Sequence, residues 1–256
     1  MKKTITKISI FAITTLIMFA SCSVELKEPE NPYYQSTELP IIVRDFVGYD
    51  YEDKNLEQYR HVDFEHINQH DYDTVKEYLD DNKKPVYNSE NAANILSITS
   101  ADSFAQWFIT SEDINREVRT SISFISDDSD SMQYKYENRG FYPVDNKGFG
   151  DSEGYDTFWH NFNFTVESTF YLLCKKDTPI TISCESDDDL WLFINGKLAI
   201  DQGGRHGYYT ETITFTAEDY NSNAGDYLEV KLFKADRGSS QAVMSVRLSQ
   251  EFYLKK

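Results

Sequence analysis

Asn195-Gly196 stands between two apolar runs, Leu190 to Ile194 and Leu198 to Ile200. An Asn-Gly pair readily takes the positive backbone dihedrals of a type I′ turn. The twist of that turn matches two antiparallel strands, so the segment is held to a β-hairpin. The hairpin opens on three consecutive carboxylates, Asp187, Asp188 and Asp189. It closes on Asp201, and a Gly203-Gly204 loop then carries Arg205, His206 and Tyr208.

The rest of the chain agrees with this start. Asn161 to Val166, Thr169 to Cys174, Ile180 to Cys184, Tyr209 to Phe215, Tyr227 to Ala235 and Ala242 to Leu248 read as short strands, as do Ile41 to Phe46 and Thr120 to Ser126. Turn residues separate them, and no long helical pattern lies between them to support βαβ units. The expected fold is an all-β antiparallel sandwich, its core supplied by 17 Phe, 18 Tyr and 3 Trp. A short helix is predicted around Tyr72 to Leu79 and another over Ala101 to Phe108, with Ser100 as its N-cap. KKDTP (Lys175 to Pro179) reads as a hairpin turn, which would set Cys174 and Cys184 too far apart for a disulfide. Alternation points both thiols inward; a bridge is the alternative.

At the N-terminus, Lys2, Lys3 and Lys7 precede an apolar stretch, Ile8 to Phe19, and then Ala20-Ser21-Cys22. This is the layout of an export signal over residues 1–21. The small residues before Cys22 resemble a bacterial lipobox, which makes Cys22 the lipidation site; an ordinary secretory signal is the alternative. The apolar stretch is too short for a membrane span. Residues 22–38 are polar with two prolines and read as a tether. Residues 39–254 read as one domain. The expectation is an exported protein, lipid-anchored at the cell envelope on the outer membrane or cell surface. The formal net charge of −18 excludes a nucleic-acid footprint.

Three adjacent carboxylates at a strand end suit a hard cation such as calcium, which takes six to eight oxygen ligands. Neighbouring side chains on a regular strand point apart, so a shared ion needs an irregular backbone there. Equally, Asp residues in such a place cap tight turns by accepting backbone hydrogen bonds. Asp201, Arg205, His206 and Tyr208 add a carboxylate, a planar cation, an imidazole and an aromatic face. That mixture suits the hydroxyls and CH patches of a sugar. Trp191 lies inside an apolar run and is assigned to the core, Gly203-Gly204 to backbone geometry, and His160 to a structural hydrogen bond. No nucleophile with an orienting base can be nominated, so no catalytic activity is expected.

Several segments in order, RDF (Arg44 to Phe46), VDFE (Val62 to Glu65), KKPVY (Lys83 to Tyr87), ITSADSFAQWF (Ile98 to Phe108), FYPVDNKGFG (from Phe141), HNFNFT (from His160), SDDDLWLFINGKLAIDQGGRHG (from Ser186) and LFKADR (Leu232 to Arg237), resemble the fibro-slime domain. That domain is a relative of the protective-antigen-type β-sandwich of fungal flocculins. The resemblance implies a jelly-roll-like sandwich outside the cell and recognition of a polysaccharide or cell-surface glycan in adhesion. It implies a calcium ion held by the adjacent pair Asp187 and Asp188, with Asp189 where Gly is common. The alternative is a non-catalytic structural subunit of a surface complex, with protein partners and no glycan ligand.

Overall fold

The computed structural model describes residues 31–49, 52–154 and 158–256. The signal segment, Cys22 and most of the tether lie outside the described residues. In chain order the strands are β1 (Tyr33–Ser36), β2 (Glu38–Phe46), β3 (Asn115–Ser123), β4 (Ile125–Ser126), β5 (Tyr134–Asn138), β6 (Ser152–Glu153), β7 (Trp159–His160), β8 (Phe164–Leu173), β9 (Ile180–Ser186), β10 (Leu190–Ile194), β11 (Lys197–Gln202), β12 (Tyr209–Phe215), β13 (Tyr227–Asp236), β14 (Met244–Leu248) and β15 (Phe252–Lys255).

Two antiparallel sheets stack as a sandwich. The larger runs β1-β15-β8-β13-β10-β11, with β2 and β3 added beside the first half of β8; the smaller runs β12-β9-β14-β5-β4. Alternation builds the core. Ile180, Ile182 and Cys184 of β9 and Met244, Val246 and Leu248 of β14 meet Leu190, Leu192 and Ile194 of β10 and Leu228, Val230 and Leu232 of β13.

The opposite face of β10 and β13 is also dry. It carries Trp191, Phe193, Phe233 and Ala235, covered by Phe64, Val75, Ile98, Phe104, Trp107 and Phe108 from the long excursion between β2 and β3. A strand buried on both faces reads as an unbroken apolar run, which accounts for Leu190–Ile194. Trp191 is fully buried, as its run suggested.

The structure corrects several expectations. Tyr33–Ser36, assigned to the tether, form β1 and pair with β15. Residues 72–79 are not helical; Val75 and Tyr78 make isolated bridges to Tyr87 and Lys197. The helix at 101 stops at Phe104, although its Ser100 cap accepts from Ser103 N at 3.0 Å. The two strands expected between 161 and 174 are one, β8. Lys175–Pro179 does not close a hairpin: β8 pairs with β13, and β9 lies in the other sheet. Turn chemistry marks where a chain reverses; it does not say which layer the next strand joins. Cys174 and Cys184 are free and buried, and burial pushes both thiol pKa values up.

Candidate functional site

β9 leads into β10 through Asp187-Asp188-Asp189, and this corner sits where the sheets end beside the loops after β11 and β13. Asp188 takes a left-handed φ of 48°, which breaks the strand alternation and turns the three carboxylates separately. Asp187 Oδ1 accepts from Val243 N at 2.7 Å and from Lys234 Nζ at 3.1 Å. Asp188 Oδ1 accepts from His206 N (3.2 Å) and Oδ2 from Arg237 N (2.8 Å). Asp189 Oδ1 accepts from Gly204 N and Oδ2 from Arg237 Nε, both at 2.6 Å.

The two cations are as deep as the carboxylates. The side chains of Lys234, Arg237 and Asp189 are 0% exposed. Lys234 Nζ also donates to Ser186 Oγ at 3.0 Å and to Asp187 O at 2.8 Å. Arg237 reaches through to the covering layer. It donates to Ser97 O (2.6 Å) and Ser97 Oγ (2.9 Å), and its guanidinium lies 4.8 Å from the Trp107 ring centroid. Burial alone would pull the Lys234 pKa down, but the Asp187 and Asp236 carboxylates outweigh it and hold the ammonium charged. Burial, with Asp187 beside it, pushes Asp236 well above the usual carboxylate range.

The four other residues singled out from sequence surround this corner. Asp201 accepts from Trp191 Nε1 at 2.9 Å, and burial raises its pKa to about 6. Arg205 donates its backbone N–H to Gln69 O, and its guanidinium passes over Gly238. His206 clasps Asp188 through both backbone groups, while its ring packs beside His70 and Tyr209. Tyr208 is exposed, with Arg139 4.6 Å above its ring. Gly204 has φ 94°, and a Cβ there would lie 2.2 Å from Asp71 N, so the loop needs glycine for close approach.

A cavity of about 310 Å³ opens beside the corner, lined by Arg139, Tyr142, Phe158, His160, Phe162 and Gln241 among others. Tyr142 and His160 stack at 3.7 Å and 8°, and His160 Nδ1 pairs with Asp145 Oδ2 at 2.8 Å. Phe158 is 65% exposed and Trp159 62%. Trp159 borders a second, acidic depression with Glu52, Asp53, Glu65 and Glu153; Gly154 and Ser239 line both. One cavity wall is the segment 239–241, which lies between Arg237 and Val243, and both of those residues are tied to the corner carboxylates. Sequence reading passes over these aromatics, because an isolated Phe-Trp pair carries no sign of exposure. It assigns His160 a hydrogen bond but not its stacked face.

Residues 144–252 match the PA14 domain family. The chain is similar to psi proteins of Dictyostelium discoideum: it is 27% identical to protein psiQ over 69% of this chain and 18% of that protein, and 30% identical to protein psiR over 52% and 14%. The chain thus spans under a third of the length of these relatives. Among solved structures, similar folds include the epithelial adhesin 9 A domain of Candida glabrata in complex with Galb1-4GlcNAc (TM-score 0.40, 8% identity, 90% of this chain and 93% of that one). Another is the PA14 sugar-binding domain of an RTX adhesin (TM-score 0.29, 14% identity, 46% and 75%).

The fibro-slime resemblance implies calcium at Asp187 and Asp188. The donor set here does not fit that ion. Calcium needs six to eight oxygens at about 2.3–2.6 Å. Both oxygens of Asp188 and of Asp189 are engaged by N–H donors, and Lys234 Nζ sits against Asp187. The same trio does what the turn-capping alternative describes.

Proposed function

We propose that this PA14 domain binds an extended, uncharged polysaccharide at the loop end of the sandwich, as the recognition domain of an envelope-anchored adhesive lipoprotein of fibro-slime type. The observation that carries the reading is the cavity walled by the stacked Tyr142–His160 pair and the exposed Phe158, with the exposed Trp159 in the adjoining depression. Sugar rings offer CH patches to aromatic faces and hydroxyls to polar groups. Arg139, Gln241 and the Ser239-Ser240 backbone supply the second kind of contact. Two depressions joined at Gly154 and Ser239 suit a chain of sugars better than a single one. The surrounding acids disfavour an anionic glycan.

A panel of neutral polysaccharides screened by array and then by calorimetry tests this. Phe158→Ala and Trp159→Ala alter exposed side chains and should leave the fold intact while weakening binding at least ~10-fold, about 1.4 kcal/mol each. Equal affinity in both variants would sink the assignment of the pocket. One observation favours the second reading, a structural subunit: the corner carboxylates are spent on internal bonds. That reading expects no glycan binding on the array and a co-purifying protein partner.

A further inference from the structure

We infer that Lys234 and Arg237 are the resident cations of the acidic corner, taking the place of a bound metal, so that the domain folds and sets its loop-end cavity without calcium. The inference concerns the charge balance of the corner and stands whether or not the ligand is a glycan.

Lys234 stands where a cation would be wanted. Its three N–H donors meet Ser186 Oγ, Asp187 O and Asp187 Oδ1 at 2.8–3.1 Å, which is all the hydrogen bonding an ammonium can make. A divalent ion brought to Asp187 would have to expel this ammonium or lie against it. Expulsion is not available, because the side chain is fully enclosed and an unpaired buried charge is strongly unfavourable. Arg237 closes the other side. Its Nε and backbone N hold one oxygen each of Asp189 and Asp188, and the rest of the guanidinium is tied to Ser97. A planar fork held at several points cannot swing out to clear a coordination sphere.

The arrangement also has a use. Arg237 and Val243 are clamped by Asp188, Asp189 and Asp187, and the segment between them forms a wall of the cavity. Covalently attached cations cannot be lost by dilution or chelation, so the wall is fixed at all calcium concentrations. In sequence the two residues sit in LFKADR, more than forty positions after the carboxylates. β10–β13 pairing brings them together, with Leu190 opposite Lys234.

The test compares the thermal midpoint of the mature chain in EDTA and in millimolar calcium chloride, with direct calorimetric titration of calcium, and repeats both on Lys234→Met. The wild-type chain should show the same midpoint in both buffers and no binding heat. A calcium-driven rise of roughly 5 °C or more, the response expected near 100-fold excess over the dissociation constant, would overturn the inference. Lys234→Met strands Asp187 and should melt at least ~6 °C lower in EDTA, or fail to fold. A variant as stable as wild type would also overturn it, since Lys234 would then not be what balances the corner. Neither readout involves a glycan, so this inference and the proposed function can fail separately.

Discussion

Asp45 lies on β2 with 1% of its surface exposed and accepts the backbone N–H of Phe149. Gly148, at φ 59°, lets the loop come this close: a Cβ there would fall 2.0 Å from Asp45 Oδ2. Burial raises the Asp45 pKa from 3.8 to about 7. The folded state therefore keeps a proton that the unfolded chain has already released. This contribution to stability is fully present below about pH 4, falls as pH rises, and is gone above about pH 7. At 1.36 kcal/mol per pH unit the loss amounts to at most about 4 kcal/mol. Asp45→Asn should remove that slope, so urea midpoints of variant and wild type, matched at pH 4.5, should diverge by pH 8 in favour of the variant. Parallel curves would show that Asp45 titrates normally. Residues of this kind mark where sequence reading stops. The carboxylates at 187–189 are visible in the sequence because they are adjacent. Their partners Lys234, Arg237 and Val243 are not, because register across distant strands selects them.

Strands that carry local signals are legible in the sequence, and those that depend on layers are not. The Asn195-Gly196 hairpin forms as expected, with φ 48° and 80° and Ile194 opposite Lys197. β12 spans the expected residues, because its turn signals and alternation agree. By contrast, the described residues between 47 and 114 hold little regular structure, and they cover one face of the large sheet. Scattered aromatics with no period give no hint of that. Trp107 is the hub of this layer. It is fully buried, donates Nε1 to Asp63 Oδ2 at 3.0 Å and touches Phe64, Phe104 and Trp191. Trp107→Ala should cost about 3–5 kcal/mol by opening a cavity and leaving Asp63 short of a donor. Denaturant melts measure this. A loss under about 1 kcal/mol would mean that the layer is not part of the cooperative fold.

Across the whole molecule, the cavity and the start of the described chain lie at opposite ends of the same strands. Tyr33 stacks on Tyr227, where β13 begins, and the acidic corner surrounds Lys234 to Arg237, where it ends. Nine steps of about 3.3 Å put some 30 Å between them. If Cys22 carries the lipid, Cys22→Ser should move the protein from the membrane fraction to the soluble fraction while glycan affinity stays unchanged. A variant that remains membrane-bound would rule out that anchor.

β1 pairs with β15 through four residues, Tyr33↔Lys255 to Ser36↔Phe252, and runs away from the acidic corner, because β15 and β13 are both antiparallel to β8. A pull on the chain ahead of Tyr33, directed away from that corner, would thus fold the strand back on itself and load the Tyr33↔Lys255 rung first. The rungs would give way one after another, as the teeth of a zip do.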